Sequence, residues 1–144
     1  MTHIDFHILQ ETGVEARWLY VCRFIEKVER LGHRILVVVD TIEQAHELDD
    51  LLWSFKPESF IAHQIIGGGE EANVEITYAS SAGATNAGEH HDVLINLSSQ
   101  IPEFFSRFAR LAEIVTQEPK ILEITREHYR FYKQRGYPIT QHQR

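Results

Sequence analysis

The run Ile35-Leu36-Val37-Val38-Val39 limits what this chain can fold into more than any other stretch of it. Five consecutive Leu or β-branched residues leave no polar side chain for water on either face, the pattern of a strand covered on both sides, as in a parallel sheet. The flanking segments agree. Before it, Trp18, Val21, Cys22, Ile25, Val28 and Leu31 recur at spacings of three and four, which predicts an amphipathic helix from Glu15 to Leu31 with Gly32 as its C-terminal cap. After it, Asp40 with Glu43, or Thr41 with Gln44, has capping-box spacing, and Ala45, Leu48, Leu51 and Leu52 carry a second helix to near Trp53, ahead of Pro57. Ile4-Asp5-Phe6-His7-Ile8-Leu9 alternates and then gains a second apolar residue, as a strand entering a loop would. Two βα units in succession predict an α/β fold, a mostly parallel sheet flanked by helices.

The 144 residues are the length of one domain, and no repeat or linker divides residues 1–144. Ser59–Ile66 reads as a short strand closed off by Gly67-Gly68-Gly69, and the alternating Val74-Glu75-Ile76-Thr77-Tyr78 as a strand with one wet face. Ser80 to His91 is a loop, and Asp92–Leu97 a further buried strand. Pro102 suits the first turn of a helix carrying Phe104, Phe105, Phe108, Leu111, Ala112 and Val115 at helical spacing. After Pro119 a last helix runs over about 120–135, stopped by Gly136 and Pro138, and residues 138–144 form a polar tail.

Several chemistries are disfavoured. The loop Gln10-Glu11-Thr12-Gly13-Val14 has one glycine and is bracketed by Glu11 and Glu15, and the triple glycine is followed by Glu70-Glu71, so neither suits a phosphate. His90-His91-Asp92 is the densest histidine cluster, but neighbours on an extended chain point apart and no multi-ligand spacing is present. No metal and no cofactor are expected. His63 and His128 read as partly buried hydrogen-bonding residues, and Cys22, on the apolar stripe of the first helix, as an inert hydrophobe. No G-x-S-x-G is present, so no catalytic residues are assigned. The first residues lack a secretory signal, no apolar run approaches the ~18–20 residues of a membrane span, and a lone cysteine suits a reducing compartment. A cytoplasmic protein is expected.

The net charge of −7 argues against general attraction to nucleic acid or anionic lipid, but the charge is uneven. From Lys120 to Arg144 cations outnumber carboxylates by four, leaving −11 on the remainder. Arg126, Arg130 and Lys133 share one helical face, with Tyr129 beside them and Tyr137 beyond the helix end. Three readings stay open: a solvated face complementing the helix dipole, a groove for an acidic peptide end, or a strip for single-stranded nucleic acid. The acidic remainder weighs against the last. Trp53, Phe55 and Phe60 flank a Pro turn, as either a core corner or a partner-binding patch.

Asp5–Leu9, Gly32–Leu36, Glu43–Trp53, Pro57–His63, Asp92–Leu97 and Arg126–Lys133 with Gly136-Tyr137, in that order, resemble the chi subunit family of bacterial DNA polymerase III over nearly the whole chain. The resemblance implies a Rossmann-like fold without nucleotide binding and a non-catalytic accessory subunit of the clamp loader. It also implies two partners: the psi subunit, and the acidic, Phe-terminated C-terminal tail of single-stranded DNA-binding protein, with DNA approached only indirectly and no membrane involved. The family's tail-binding positions match Arg126, Tyr129, Arg130 and Lys133, with Gly136 close by. Arg130 and Lys133 each exchange one cation type for the other, which keeps charge and changes fork geometry. The psi-facing region matches Trp53 to Phe60, including Phe55, with Phe60 as the preferred anchor. Gly67–His91 departs most, and no role is carried over there. The competing reading is a degenerate nucleotide-binding or metal-dependent hydrolytic enzyme using Asp40 and the loop histidines at the sheet's C-terminal edge.

Overall fold

Alternation along the central run sends Ile35, Val37 and Val39 into one apolar layer and Leu36 and Val38 into another. The computed structural model describes residues 1–56, 61–65, 72–78 and 92–144. Its strands are β1 (His3–Ile8), β2 (Ile35–Val39), β3 (His63–Ile65), β4 (Val74–Tyr78), β5 (Val93–Asn96), β6 (Arg110–Val115) and β7 (Ile139–Gln143). Its helices are α1 (Val14–Arg30), α2 (Ile42–Ser54) and α3 (Pro119–Gln134). The strands form one sheet in the order β3-β4-β2-β5-β6-β1-β7, and every pairing is parallel. The α/β architecture is therefore the expected one.

Helices cover both faces. Val21, Cys22 and Ile25 of α1 and Ala45, Leu48 and Leu52 of α2 pack on Ile35, Val37, Ile76 and Ile95. On the opposite face Tyr132 of α3, with Phe105 and Phe108, packs on Ile4, Phe6, Leu36, Leu94 and Leu111. Of the two possible caps for α2, Thr41 is the one used: its hydroxyl accepts from Gln44 N at 3.2 Å, while Gln44 Oε1 accepts from Asp40 N at 2.9 Å. Gly32, at φ 90, ends α1 as a left-handed cap.

Three expectations are corrected. The helix read from Pro102 to Val115 is instead a turn, a short 3-10 segment over Phe105–Arg107, and strand β6. The apolar spacing there serves two layers: Leu111 and Val115 face α3, while Ala112 and Ile114 face α1, and β6 is paired by β5 on one side and β1 on the other. The polar tail over 138–144 is β7, a sheet edge needing apolar cover only at Ile139. The wet face expected of β4 is closed, with Glu75 and Thr77 buried and Glu75 accepting from Gln64 Nε2 at 3.2 Å. The expected loop over 80–91 and the triple glycine lie outside the described residues.

Asp5 and His7 of β1 are buried as well. Asp5 takes Arg110 through two bonds of 2.9 and 3.0 Å and His142 Nε2 at 3.0 Å. His7 Nδ1 is hydrogen-bonded to Tyr20 Oη at 2.7 Å, and its ring stacks on His142 at 4.8 Å. Burial, reinforced by His142 and Arg144, pushes the His7 imidazole down to about 4. Between its unfolded value near 6.5 and about 4, only the unfolded chain takes this proton, so stability falls as pH drops through that window. The expected loss is roughly 1–3 kcal/mol. Urea denaturation at pH 7.5 and pH 4.5 should show a smaller acid loss for His7→Asn than for the parent.

Candidate functional site

Three cations with no acidic partner among the described residues lie on α3, and the helix is built to present them. Glu118 caps its start, accepting from Lys120 N at 3.1 Å and Ile121 N at 2.9 Å, with Pro119 at the first helical position. Thr125, His128 and Tyr132 point to the sheet and are buried. Arg126, Arg130 and Lys133 lie on one flank, and Tyr129 is half-buried between them and the sheet. Gly136, at φ 79, ends the helix: its N–H reaches Lys133 O and Tyr137 N reaches Tyr132 O, both at 3.1 Å. That reversal is the Schellman geometry, and it returns the chain along β1 as β7.

Between α3 and the β6-β1-β7 end of the sheet runs a groove of about 660 Å³. Its floor is Phe6, Ile8, Val115 and Leu122; Arg126, Tyr129, Arg130 and Lys133 form one wall, and Gln141 marks the β7 side. Tyr129 stands edge-on to Phe6 at 5.5 Å, and Lys133 Nζ lies 5.7 Å from the Tyr129 ring centre. Among the described residues no carboxylate lines the groove and none of the three cations has an acidic partner. Glu127 lines a cleft on the other side of α3, with His128 and Phe131. Four of the five residues marked from the sequence thus meet in one place. Gly136 does not line the groove; it positions β7. The floor residues escape a sequence reading because they come from separate strands and a helix, although the Ile4-Phe6-Ile8 alternation already defines one apolar stripe.

Beneath the groove helix sits a buried carboxylate, Glu113, 1% exposed. His128 Nδ1 is 3.1 Å from both its oxygens, Tyr132 Oη donates to it at 2.8 Å, and Asn96 Nδ2 donates at 3.0 Å. His128 Nε2 lies 3.1 Å from Ser99 O, consistent with an imidazolium donating from both nitrogens. Burial works against that charge, but the bond to Glu113 and its negative charge outweigh it, so the His128 pKa is raised.

The other candidates separate. Trp53 is 51% exposed and lies 4.4 Å, ring to ring, from His63, whereas Phe55 turns in against the core. Phe60, like His90 and His91, lies outside the described residues. Asp40 Oδ1 accepts from both Ser99 N at 2.8 Å and Ser99 Oγ at 2.9 Å, so it clamps a loop. His63 sits among backbone oxygens, 2.6 Å from Ile61 O and 3.0 Å from Asp49 O. Among the described residues no His, Cys, Asp and Glu cluster could hold a metal ion. Burial pushes the Cys22 thiol up to about 12, far from a reactive thiolate. The hydrolase reading has no support in this geometry.

Fold and groove together define an open-sheet α/β protein whose developed surface feature is a cationic, apolar-floored cleft on its last helix rather than a phosphate cradle after its first strand. Residues 1–140 match the family described as DNA polymerase III chi subunit, HolC, and the chain belongs to that family. It is 37% identical over 142 residues to the DNA polymerase III subunit chi of Pseudomonas aeruginosa, covering 99% of this chain and 96% of the relative. It is 28% identical over 145 residues to the Escherichia coli subunit, covering 96% of each, and 26% identical over 138 residues to that of Haemophilus influenzae, covering 94% and 93%. No helix among the described residues is long and apolar enough to cross a membrane.

The Glu113–His128 pair generates a specific expectation. Glu113→Gln keeps the shape but removes the charge, so the His128 titration midpoint, followed by NMR, should fall relative to the parent, with stability lower by roughly 1–3 kcal/mol. In the parent the pair's contribution is complete below about pH 6.5 and is lost as pH rises through the raised His128 pKa.

Proposed function

We propose that this member of the chi family is a non-catalytic accessory subunit of the DNA polymerase III clamp-loader assembly, working in the cytoplasm. It links the psi subunit to the acidic, Phe-terminated C-terminal tail of single-stranded DNA-binding protein. The observation that carries the reading is the groove itself: among the described residues its three cations have no acidic partner, no carboxylate lines it, and its floor is apolar. An anionic peptide ending in a large apolar residue satisfies both halves at once. Arg126 and Arg130 offer forks to its carboxylates, Lys133 a point charge, and Tyr129 with Phe6 an aromatic wall for its last side chain. Gly136 holds the turn that brings Gln141 to the rim. Psi takes the Trp53, Phe55 and Phe60 region, where Trp53 supplies an exposed aromatic surface at the end of α2.

DNA is reached through the protein already bound to it, which suits a body carrying −11 outside its last 25 residues. Titration of the purified chain with a synthetic acidic peptide ending in Phe tests this. Arg126→Ala should weaken binding by roughly 1–3 kcal/mol, the range for charge-assisted hydrogen bonds, and affinity should drop as salt is raised. Unchanged affinity in the variant would remove the groove from the account. Trp53→Ala should weaken psi binding and leave the tail peptide's affinity as it was; the reverse pattern would reassign both surfaces.

A further inference from the structure

Strand β7 is paired on one side only among the described residues. Ile4 N donates to Pro138 O and Arg144 N to Ile8 O, both at 2.9 Å, so the even-numbered residues between them turn their backbone groups to β1. The N–H and C=O groups of Ile139, Gln141 and Gln143 therefore face away from the sheet, and among the described residues no strand pairs there. Such edges are normally blunted by proline, charge, bulges or extreme shortness. The opposite edge, β3, has three residues. By contrast β7 runs for five, Ile-Thr-Gln-His-Gln, with neither proline nor a Lys, Arg, Asp or Glu inside it. It is an open edge, and it borders the groove, because Gln141 lines both.

We infer that the free edge of β7 is a strand-addition site, on which the residues preceding the groove-bound end of an acidic peptide pair as an eighth strand. This rests on the reading that the groove takes such a peptide. The occupant follows from charge. From His128 to Arg144 the side chains include no carboxylate and four cations, Arg130, Lys133, Arg135 and Arg144, the last of which directly follows β7. Asp5, on the adjacent strand, belongs to the sheet's other face, where Arg110 and His142 hold it. A second copy of this chain fits less well, because two bodies of −7 repel. Main-chain pairing supplies affinity that does not depend on side-chain identity, while the groove reads the end of the peptide.

The test compares two peptides on the full chain, both acidic and ending in Phe, one of about four residues that fills the groove and one of about ten that also reaches the edge. The longer should bind at least about fivefold tighter, the return of one or two net hydrogen bonds. N-methylation at alternate upstream backbone positions should abolish the difference. So should Gln143→Pro, which deletes an outward N–H and leaves the β1 ladder intact. Hydrogen exchange at Ile139, Gln141 and Gln143 should slow with the longer peptide alone. Equal binding of the two peptides, with those amides still exchanging freely, overturns strand addition and leaves the groove standing. If neither peptide binds, both fall, and concentration-dependent protection of the same amides in the free protein would assign the edge to a second copy instead.

Discussion

The groove depends on a carboxylate that never meets water. Burying Glu113 without partners would cost several kcal/mol, and its attraction for His128 repays that only because Tyr132 and Asn96 also donate to it. These donors come from different elements: Asn96 from β5, and His128 and Tyr132 one turn apart on α3. Fixing two residues one turn apart fixes the rotation of a helix about its axis. Tyr129, about 100° further round than His128, is thereby aimed at Phe6, and Arg126, Arg130 and Lys133 fall on the flank over the groove. The polar network is thus what orients the cations, although it touches none of them.

A sequence reading finds the elements whose apolar pattern has one explanation. Ile35–Val39, the stripe of α1, a cap for α2 at Asp40 or Thr41 and the boundaries of α3 follow from residue spacing and cap chemistry, both local. It fails over Pro102–Val115, where Leu, Ala and Glu are good helix formers and the spacing fits a helix, yet the middle of the sheet needs an occupant between β5 and β1. That error also hides Glu113, because a carboxylate read onto a helix is assumed to face solvent. The cations of the site are legible because they lie along one helix. The floor beneath them is not, because Phe6, Ile8 and Val115 meet only once strands from opposite ends of the chain are paired.

The same separation governs charge. Acidic residues outnumber basic ones up to Gln117, and the balance reverses over Lys120–Arg144, where the cations lie on the last helix, at its end and after β7. The chain turns one molecule into two electrostatic objects: a body that is repelled by nucleic acid and a single flank that attracts anions. Aromatic rings keep that flank stiff. Arg135 lies 3.7 Å over Phe131, Phe105 meets Phe131, Tyr132 and Tyr137, and Tyr129 leans on Phe6. A surface held this way loses little entropy when a flexible partner settles on it.

The place of β1 in the sheet bears on the order in which the protein can be made. It is the first of these strands to leave the ribosome, yet both its neighbours, β6 and β7, begin more than a hundred residues later. Until they arrive, Phe6 and Ile8 have no pairing partners and Asp5 lacks both Arg110 and His142. The α1/α2 layer and β2 can associate early through contacts closer in sequence. The cationic groove is therefore the last part of the molecule to be completed, so a nascent chain stalled before β7 would hold most of its core and no finished groove.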